Sequence, residues 1–205
     1  MNAECPVILI AGLSCSGKTT LARELGMLLQ APVIGLDHYY FPLSHLSEAE
    51  RHAVNFDRPE ILDWHLIEAH VDMLRTGQAI SVPLYDFVHF TRGEQSEQLQ
   101  PASCVIVEGQ LAFFDPKLVE HSAMRVYLDV PTEECFRRRV ERDVQDRGRT
   151  PEEVNWRFNS HVLPVYEEIM LPLADQATLT LTAPFNPHEQ AQAIASMLNN
   201  RAILL

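Results

Sequence analysis

Gly12-Leu13-Ser14-Cys15-Ser16-Gly17-Lys18-Thr19 follows the apolar run Val7 to Ala11 and precedes a helix-like stretch, Thr20 to Gln30. This is the pattern G-x-x-x-x-G-K-[ST] in a strand-loop-helix setting, the form taken by phosphate-binding loops. Two glycines let the backbone close into a nest of inward-pointing N–H groups, and the helix start adds unsatisfied amides and a positive dipole end. Lys18 is placed to reach β- and γ-phosphates, and the Thr19 hydroxyl to ligate Mg²⁺. The candidate nucleotide contacts, for ATP or GTP with Mg²⁺, are Gly12, Ser14, Ser16, Gly17, Lys18, Thr19 and Thr20. Cys15 occupies a position the pattern leaves unconstrained. The competing reading, a Gly-rich turn before an ordinary helix, is disfavoured by the flanks.

The 205 residues suit one domain, and an apolar content of 46% can fill a core. A formal net charge of −12 argues against a general nucleic-acid surface, which needs basic patches for its phosphate contacts. An anionic substrate must then be held by a local basic cluster. Cys5, Cys15, Cys104 and Cys135 lie far apart without C-x-x-C spacing, so neither a zinc site nor a disulfide framework is indicated. The chain shows no basic leader with a sufficient apolar core and no apolar stretch of about 18 residues. A soluble, cytoplasmic protein with reduced thiols and no membrane partner is expected; a homo-oligomer is left open.

A second apolar run, Ala31 to Leu36, ends in Asp37-His38-Tyr39-Tyr40. A carboxylate at the C-terminal end of a sheet strand points into the ligand crevice, which makes Asp37 a site candidate by position alone. Ser47 to Val54 reads as a short polar helix and Asn55 to Pro59 as a loop. Asp63 caps a predicted helix to Thr76, closed by Gly77, with Leu66, Ile67, His70, Val71 and Leu74 on one face. His70 there is read as a packed histidine. Ile80 to Val82 and Leu84 to Val88 read as strands broken at Pro83, and Gly93 to Pro101 as an exposed turn.

Cys104 to Val107 and Arg125 to Asp129 are further strands, the first ending in Glu108-Gly109. A helix from about Thr132 carries Arg137, Arg138, Arg139, Arg142, Arg147 and Arg149. Glu133, Glu134, Glu141, Asp143 and Asp146 alternate with them, as on a solvated face. Glu152 to Met170 reads as a helix kinked or ended at Pro164, Ala177 to Leu181 as a fifth strand and Pro187 to Asn199 as a last helix. Strands alternating with helices predict a parallel sheet covered on both faces.

Taken together, the spaced motifs resemble the uridine kinase family of P-loop kinases, relatives of phosphoribulokinase and bacterial pantothenate kinase. The resemblance runs from Val7 to about Asp175. It comprises the loop, D-x-[FY]-Y at Asp37 to Tyr40, N-[FY]-D-x-P at Asn55 to Pro59, and P-x-Y-D-F at Pro83 to Phe87. V-E-G at Val107 to Gly109 and R-x-x-R-D-x-x-x-R-G-R at Arg139 to Arg149 complete it. Each later motif is weak alone; six in order are strong. The implied fold is α/β of the P-loop NTPase type, a three-layer sandwich with a parallel sheet of about five strands, helices on both faces and an Arg-rich lid. One kinase domain is implied, with an acceptor-binding insertion over about 38–101 and the lid over about 137–157.

The implied activity is transfer of the ATP γ-phosphoryl group to the 5′-hydroxyl of uridine or cytidine. Asp37, Lys18 and Arg142 would then be catalytic, with Asp37 taking or orienting the acceptor proton. Thr19, Asp37 and Glu108 would hold the metal, and no separate Walker B aspartate is evident, Asp129 being an outside candidate. Arg142 and Arg147 would meet phosphates. The resemblance puts Asp57 at the ribose diol, with an Asx-turn before Pro59 as the structural alternative. Tyr85, Phe87, Phe90, Arg92, Arg139, Arg149 and Arg157 would complete the acceptor site, while Arg137 and Arg138 face solvent.

Some positions depart from the family pattern. Phe90 stands where a base-addressing histidine is usual, and His89 comes one residue early, which on a strand means the opposite face. Arg157 replaces a common glutamine and Arg58 a histidine; Thr182-Ala183-Pro184 replaces a basic element. Two alternatives follow, a kinase of another hydroxylated metabolite (other nucleoside, sugar phosphate or pantothenate-like compound) and a nucleotide-binding regulatory module without turnover.

Overall fold

The computed structural model describes residues 5–202. The expectation that no leader opens the chain falls partly on residues 1–4, which lie outside that range. The strands are β1 (Val7–Gly12), β2 (Val33–Gly35), β3 (Ile80–Asp86), β4 (Thr91–Leu99), β5 (Val105–Glu108), β6 (Ser122–Asp129) and β7 (Leu179–Thr182). Five of them form one sheet in the order β2-β5-β1-β6-β7, paired in parallel throughout. All six residues of β1 are buried, as suits the central strand of a sheet covered on both sides.

Side-chain alternation along β1 builds two cores. Val7, Leu9 and Ala11 face one side, where Ile67, Val71 and Leu74 of α3 (Trp64–Arg75) join them. Ile8 and Ile10 face the other, against Leu21, Ala22 and Leu25 of α1 (Lys18–Leu29) and Ala191 and Ile194 of α9 (Pro187–Ala202). The remaining helices are α2 (Glu48–Ala53), α4 (Pro116–Glu120), α5 (Thr132–Arg147), α6 (Pro151–Arg157), α7 (Leu163–Val165) and α8 (Leu171–Ala174). The layered parallel architecture expected from the alternating pattern is what the chain adopts. Among the described residues no helix is long and apolar enough to cross a membrane.

Local rules account for most boundaries. Ser47 and Glu50 form a reciprocal capping box at the start of α2. The Asp63 carboxylate accepts from Leu66 N–H at 3.2 Å and starts α3, and His70 on its buried face bonds the Tyr39 hydroxyl at 2.8 Å. His70 is a packed histidine, as its place on an apolar face implied.

Three expectations are corrected. Gly93 to Pro101, read as an exposed turn, belongs mostly to β4, which pairs antiparallel with β3 in a two-stranded ribbon. Its residues are polar because they face solvent, not because the backbone is irregular. β3 is not broken at Pro83; the strand passes through, with a register shift between Pro83 and Tyr85 of the kind that accommodates a residue lacking an N–H. At Pro164, where a kink or an end was expected, the helix does not end. The run over 151–174 widens into π turns at Phe158–Val162 and Tyr166–Met170, each just ahead of a proline, Pro164 or Pro172.

Candidate active site

The loop after β1 is shaped by close packing and by φ. Gly12 has φ of 147°, and a Cβ there would sit 2.8 Å from Leu128 O and 2.9 Å from Ser16 Oγ. Gly17, the N-cap of α1, has φ of 104°, with open space around it, so conformation alone demands glycine. Ser16 N–H donates to Leu13 O at 3.0 Å and closes the turn. Lys18 Nζ folds back over the loop to donate to Leu13 O at 2.9 Å. Burial pulls this lysine below its usual pKa, against the opposing pull of Glu108 and Asp37. Ser16 Oγ is buried without a partner, and the first turn of α1 holds no acidic residue to neutralise its positive end. An orphaned hydroxyl, a buried ammonium and free helix amides fit a polyphosphate.

Glu108 ends β5 beside β1, opposite Ile10, and its Oε1 accepts from Thr19 Oγ1 at 2.9 Å. Burial raises the Glu108 pKa, while Lys18 draws it down. A strand-end carboxylate bonded to the loop's hydroxyl is a donor set that suits Mg²⁺, which keeps several waters and takes few protein oxygens. Asp129 is exposed and does not join this group, so Glu108 holds the acidic position next to the loop. Thr20 is exposed on the first turn of α1.

In front of the loop opens a pocket of about 510 Å³, part of it continuous with solvent. It brings together residues from distant parts of the chain: Ser14, Asp37, Asp57, Tyr85, Phe87 and Phe90 from loops and β3, and Arg139, Arg142, Arg147, Arg149 and Arg157 from α5, α6 and the turn between them. Asp37 lies in the 3₁₀ turn Leu36–Tyr39 that follows β2. The Tyr40 hydroxyl donates to Asp37 Oδ1 at 3.1 Å. Burial, with Asp37 and Asp57 nearby, holds the Tyr40 phenol well above its usual pKa, which keeps it a donor.

The local turn bond at Asp57 is made by its neighbour: Asn55 Oδ1 accepts from Asp57 N–H at 3.0 Å, and the Asp57 side chain lines the pocket. Phe90, at φ of 53°, stacks on Phe56 with ring centroids 5.3 Å apart. His89 is exposed and bonded to Asp86 at 2.7 Å while Phe90 is buried; both lie in the turn between β3 and β4, not on a strand, so strand alternation does not set their faces. Arg92 is not among the lining residues; its guanidinium donates to Tyr39 O at 2.8 Å and to Asp63 Oδ2 at 3.2 Å.

The arginine-rich segment departs from a solvated face. Arg137 and Arg138 pair with Glu134 near the surface. Asp143, however, has no exposed surface and is surrounded by Arg142 at 2.8 Å, Arg149 at 3.1 Å, Arg147 at 3.4 Å and Arg139 at 3.5 Å. Arg139 Nε is near enough to be attracted but forms no hydrogen bond. Burial raises the Asp143 pKa and the four guanidiniums lower it; the arginines win, leaving it below the usual carboxylate value. Arg147 lies 4.4 Å above the Phe87 ring, and Arg149 and Arg157 lie 5.1 and 5.0 Å from Phe90. Arg157 is also tied to Glu153 at 2.9 Å and to His52 O at 2.7 Å.

Tyr40, Phe56, Gln110 and His161 also line the pocket and were not singled out from the sequence. Tyr40 stood inside the D-x-[FY]-Y element and Phe56 inside N-[FY]-D-x-P, so the motifs held a signal for both. Nothing in the sequence marked Gln110 or His161.

A parallel α/β sheet, a phosphate loop at the end of its central strand and an arginine-lined pocket facing that loop define a P-loop kinase. The Phosphoribulokinase / Uridine kinase family pattern matches residues 7–184, and the chain belongs to that family. It is 38% identical over 185 residues to a uridine kinase of Vibrio cholerae serotype O1, covering 87% of each chain. It is 34% identical to a uridine kinase of Mycoplasma pneumoniae, over 85% of this chain and 84% of that one. Phosphoribulokinase from Rhodobacter spheroides shares the fold, with a TM-score of 0.65 at 15% identity over 90% of this chain and 74% of its own.

Proposed function

We propose that this kinase transfers the γ-phosphoryl group of ATP to the 5′-hydroxyl of a pyrimidine nucleoside, cytidine or uridine. The observation that carries the reading is the union, in one cleft, of a phosphate loop with a pocket holding two carboxylates, Asp37 and Asp57, among aromatic rings. The names of the 34–38% identical relatives support the acceptor class. In this reading Asp57 takes the ribose hydroxyls and Tyr85, Phe87 and Phe90 enclose the base.

The chemistry asks for positioning and charge neutralisation. Asp37, through the oxygen that Tyr40 leaves free, takes the acceptor's proton as its oxygen bonds to the γ-phosphorus. The bond from that phosphorus to the β–γ bridging oxygen breaks, and ADP leaves with the electron pair. Lys18, Arg142 and Arg147 neutralise the phosphates, and Arg139 and Arg149 act nearer the acceptor. Thr19 and Glu108, with Asp37 through water, would hold Mg²⁺, whose bound charge would offset that on the phosphate oxygens. The segment over about 137–157 serves as a lid that excludes water.

A second reading, another hydroxylated metabolite with an anionic ring or substituent, is favoured by the two guanidiniums set against Phe90. ADP release across a panel of acceptors separates the two. Strong stimulation by cytidine or uridine is expected. Stimulation only by a different compound removes the nucleoside reading, and ATP binding with no acceptor-dependent ADP from any compound marks a regulatory module.

A further inference from the structure

Gln110 spans the two halves of the cleft. It follows Gly109, whose own packing is tight: a Cβ there would meet the Leu36 side chain at 2.7 Å, so the turn after β5 is held against the β2 end. Gln110 Oε1 accepts from Ser14 N–H in the phosphate loop at 3.0 Å, and Gln110 Nε2 donates to Asp57 Oδ1 at 2.9 Å. The amide's orientation is not arbitrary. A backbone N–H can only donate, so the oxygen must face Ser14, which turns the NH₂ group toward Asp57. That group in turn requires an accepting oxygen, which the Asp57 carboxyl supplies. The second Asp57 oxygen has no hydrogen-bond partner among the described residues, while Asp57 itself is buried at the pocket wall.

We infer that Gln110 is a positioning residue for the acceptor: it fixes the Asp57 carboxylate so that the free oxygen meets the acceptor's hydroxyls, and it anchors this arrangement to the loop that holds the donor. The inference rests on the reading of Asp57 as the diol carboxylate. A bridge this short ties acceptor placement to the loop backbone, so the acceptor hydroxyl is presented at a set distance from the phosphoryl group. Tyr40 and His161 feel the Asp57 charge, and Asp37 and five arginines line the same pocket; all of these are present in every variant below, so the comparison is made against wild type at each pH.

The test uses the full-length protein, with cytidine and uridine as acceptors, and three variants. Asp57→Ala reports on the diol reading. Gln110→Leu removes both bonds and is expected to raise the acceptor KM about tenfold or more, the size of effect expected for a lost hydrogen bond to a charged group. Gln110→Glu separates the two roles, because it still accepts from Ser14 N–H but presents a second oxygen to Asp57. Its ATP KM should stay within about twofold of the wild type, while its acceptor KM at about pH 8.5 rises at least as far as in Gln110→Leu. As pH falls and the introduced carboxyl gains a proton, it can donate to Asp57 as the amide did, and the acceptor KM should recover relative to wild type. A Gln110→Glu acceptor KM close to wild type and flat from about pH 6 to about pH 9, alongside a large Asp57→Ala effect, overturns the bridge alone. No effect of Asp57→Ala overturns the diol reading and the inference with it.

Discussion

Phe90 is enclosed by Phe56 stacked on one side, by the His52 ring edge-on with centroids 4.6 Å apart, and by the guanidiniums of Arg149 and Arg157. Cation–π contacts of this desolvated kind contribute up to about 2 kcal/mol, so this enclosure is held firmly enough to discriminate shape. Phe90→Ala is therefore expected to raise the acceptor KM about tenfold or more while the ATP KM stays near its starting value; steady-state kinetics varying each substrate in turn will show it. On the donor side the Thr19–Glu108 bond couples the loop hydroxyl to a buried carboxylate. Glu108→Gln should raise the Mg²⁺ concentration for half-maximal rate by about tenfold or more, and a titration with Mg²⁺ at saturating nucleotide measures it. Legibility differed at this scale for a physical reason. The glycines, Lys18 and Thr19 act through backbone conformation and fixed spacing, which a sequence records directly. Gln110 acts through contacts with Ser14 and Asp57, 96 and 53 residues earlier in the chain, which spacing does not record.

The end of α5 and the start of α6 form the second unit, and Asp143 is its centre. Its charge offsets four arginines that would otherwise repel one another in a half-buried place. The sequence signal was available in the i, i+4 spacing of Arg139, Asp143 and Arg147. Charge alternation alone could not say which face of α5 turns inward, because an arginine stem packs on apolar surface as readily as it extends into water. The same limit hid β4, whose polar residues matched a turn as well as a solvent-facing strand. Asp143 also sets a pH dependence. Its folded pKa lies below the unfolded value of 3.8, so its stabilising contribution is complete above that value and is lost as pH falls through the folded one. Denaturant unfolding of Asp143→Asn should thus show a large stability loss relative to wild type at neutral pH, narrowing as pH drops below 3.8. A gap that stays constant down to the lowest accessible pH contradicts the ion-cluster account.

Across the whole molecule, the parallel sheet explains why the two halves meet. β1, β2 and β5 are neighbours that all end at the same rim, so the phosphate loop, Asp37 and Glu108 converge there although the chain separates them widely. The helices with the arginines and the β3–β4 ribbon then supply the outer wall. This convergence was legible because alternating apolar runs dictate a parallel sheet and strand ends dictate the crevice. The acceptor wall was less so, since its shape depends on how the ribbon and the helical run over 151–174 pack. The central claim is that the phosphate loop and Asp37 belong to one phosphoryl-transfer site. Its most direct test is Asp37→Asn, assayed for turnover with cytidine or uridine and, by calorimetry, for ATP binding. The account predicts kcat lowered by about 10²-fold or more with ATP affinity within about twofold of wild type; near-normal kcat would contradict it.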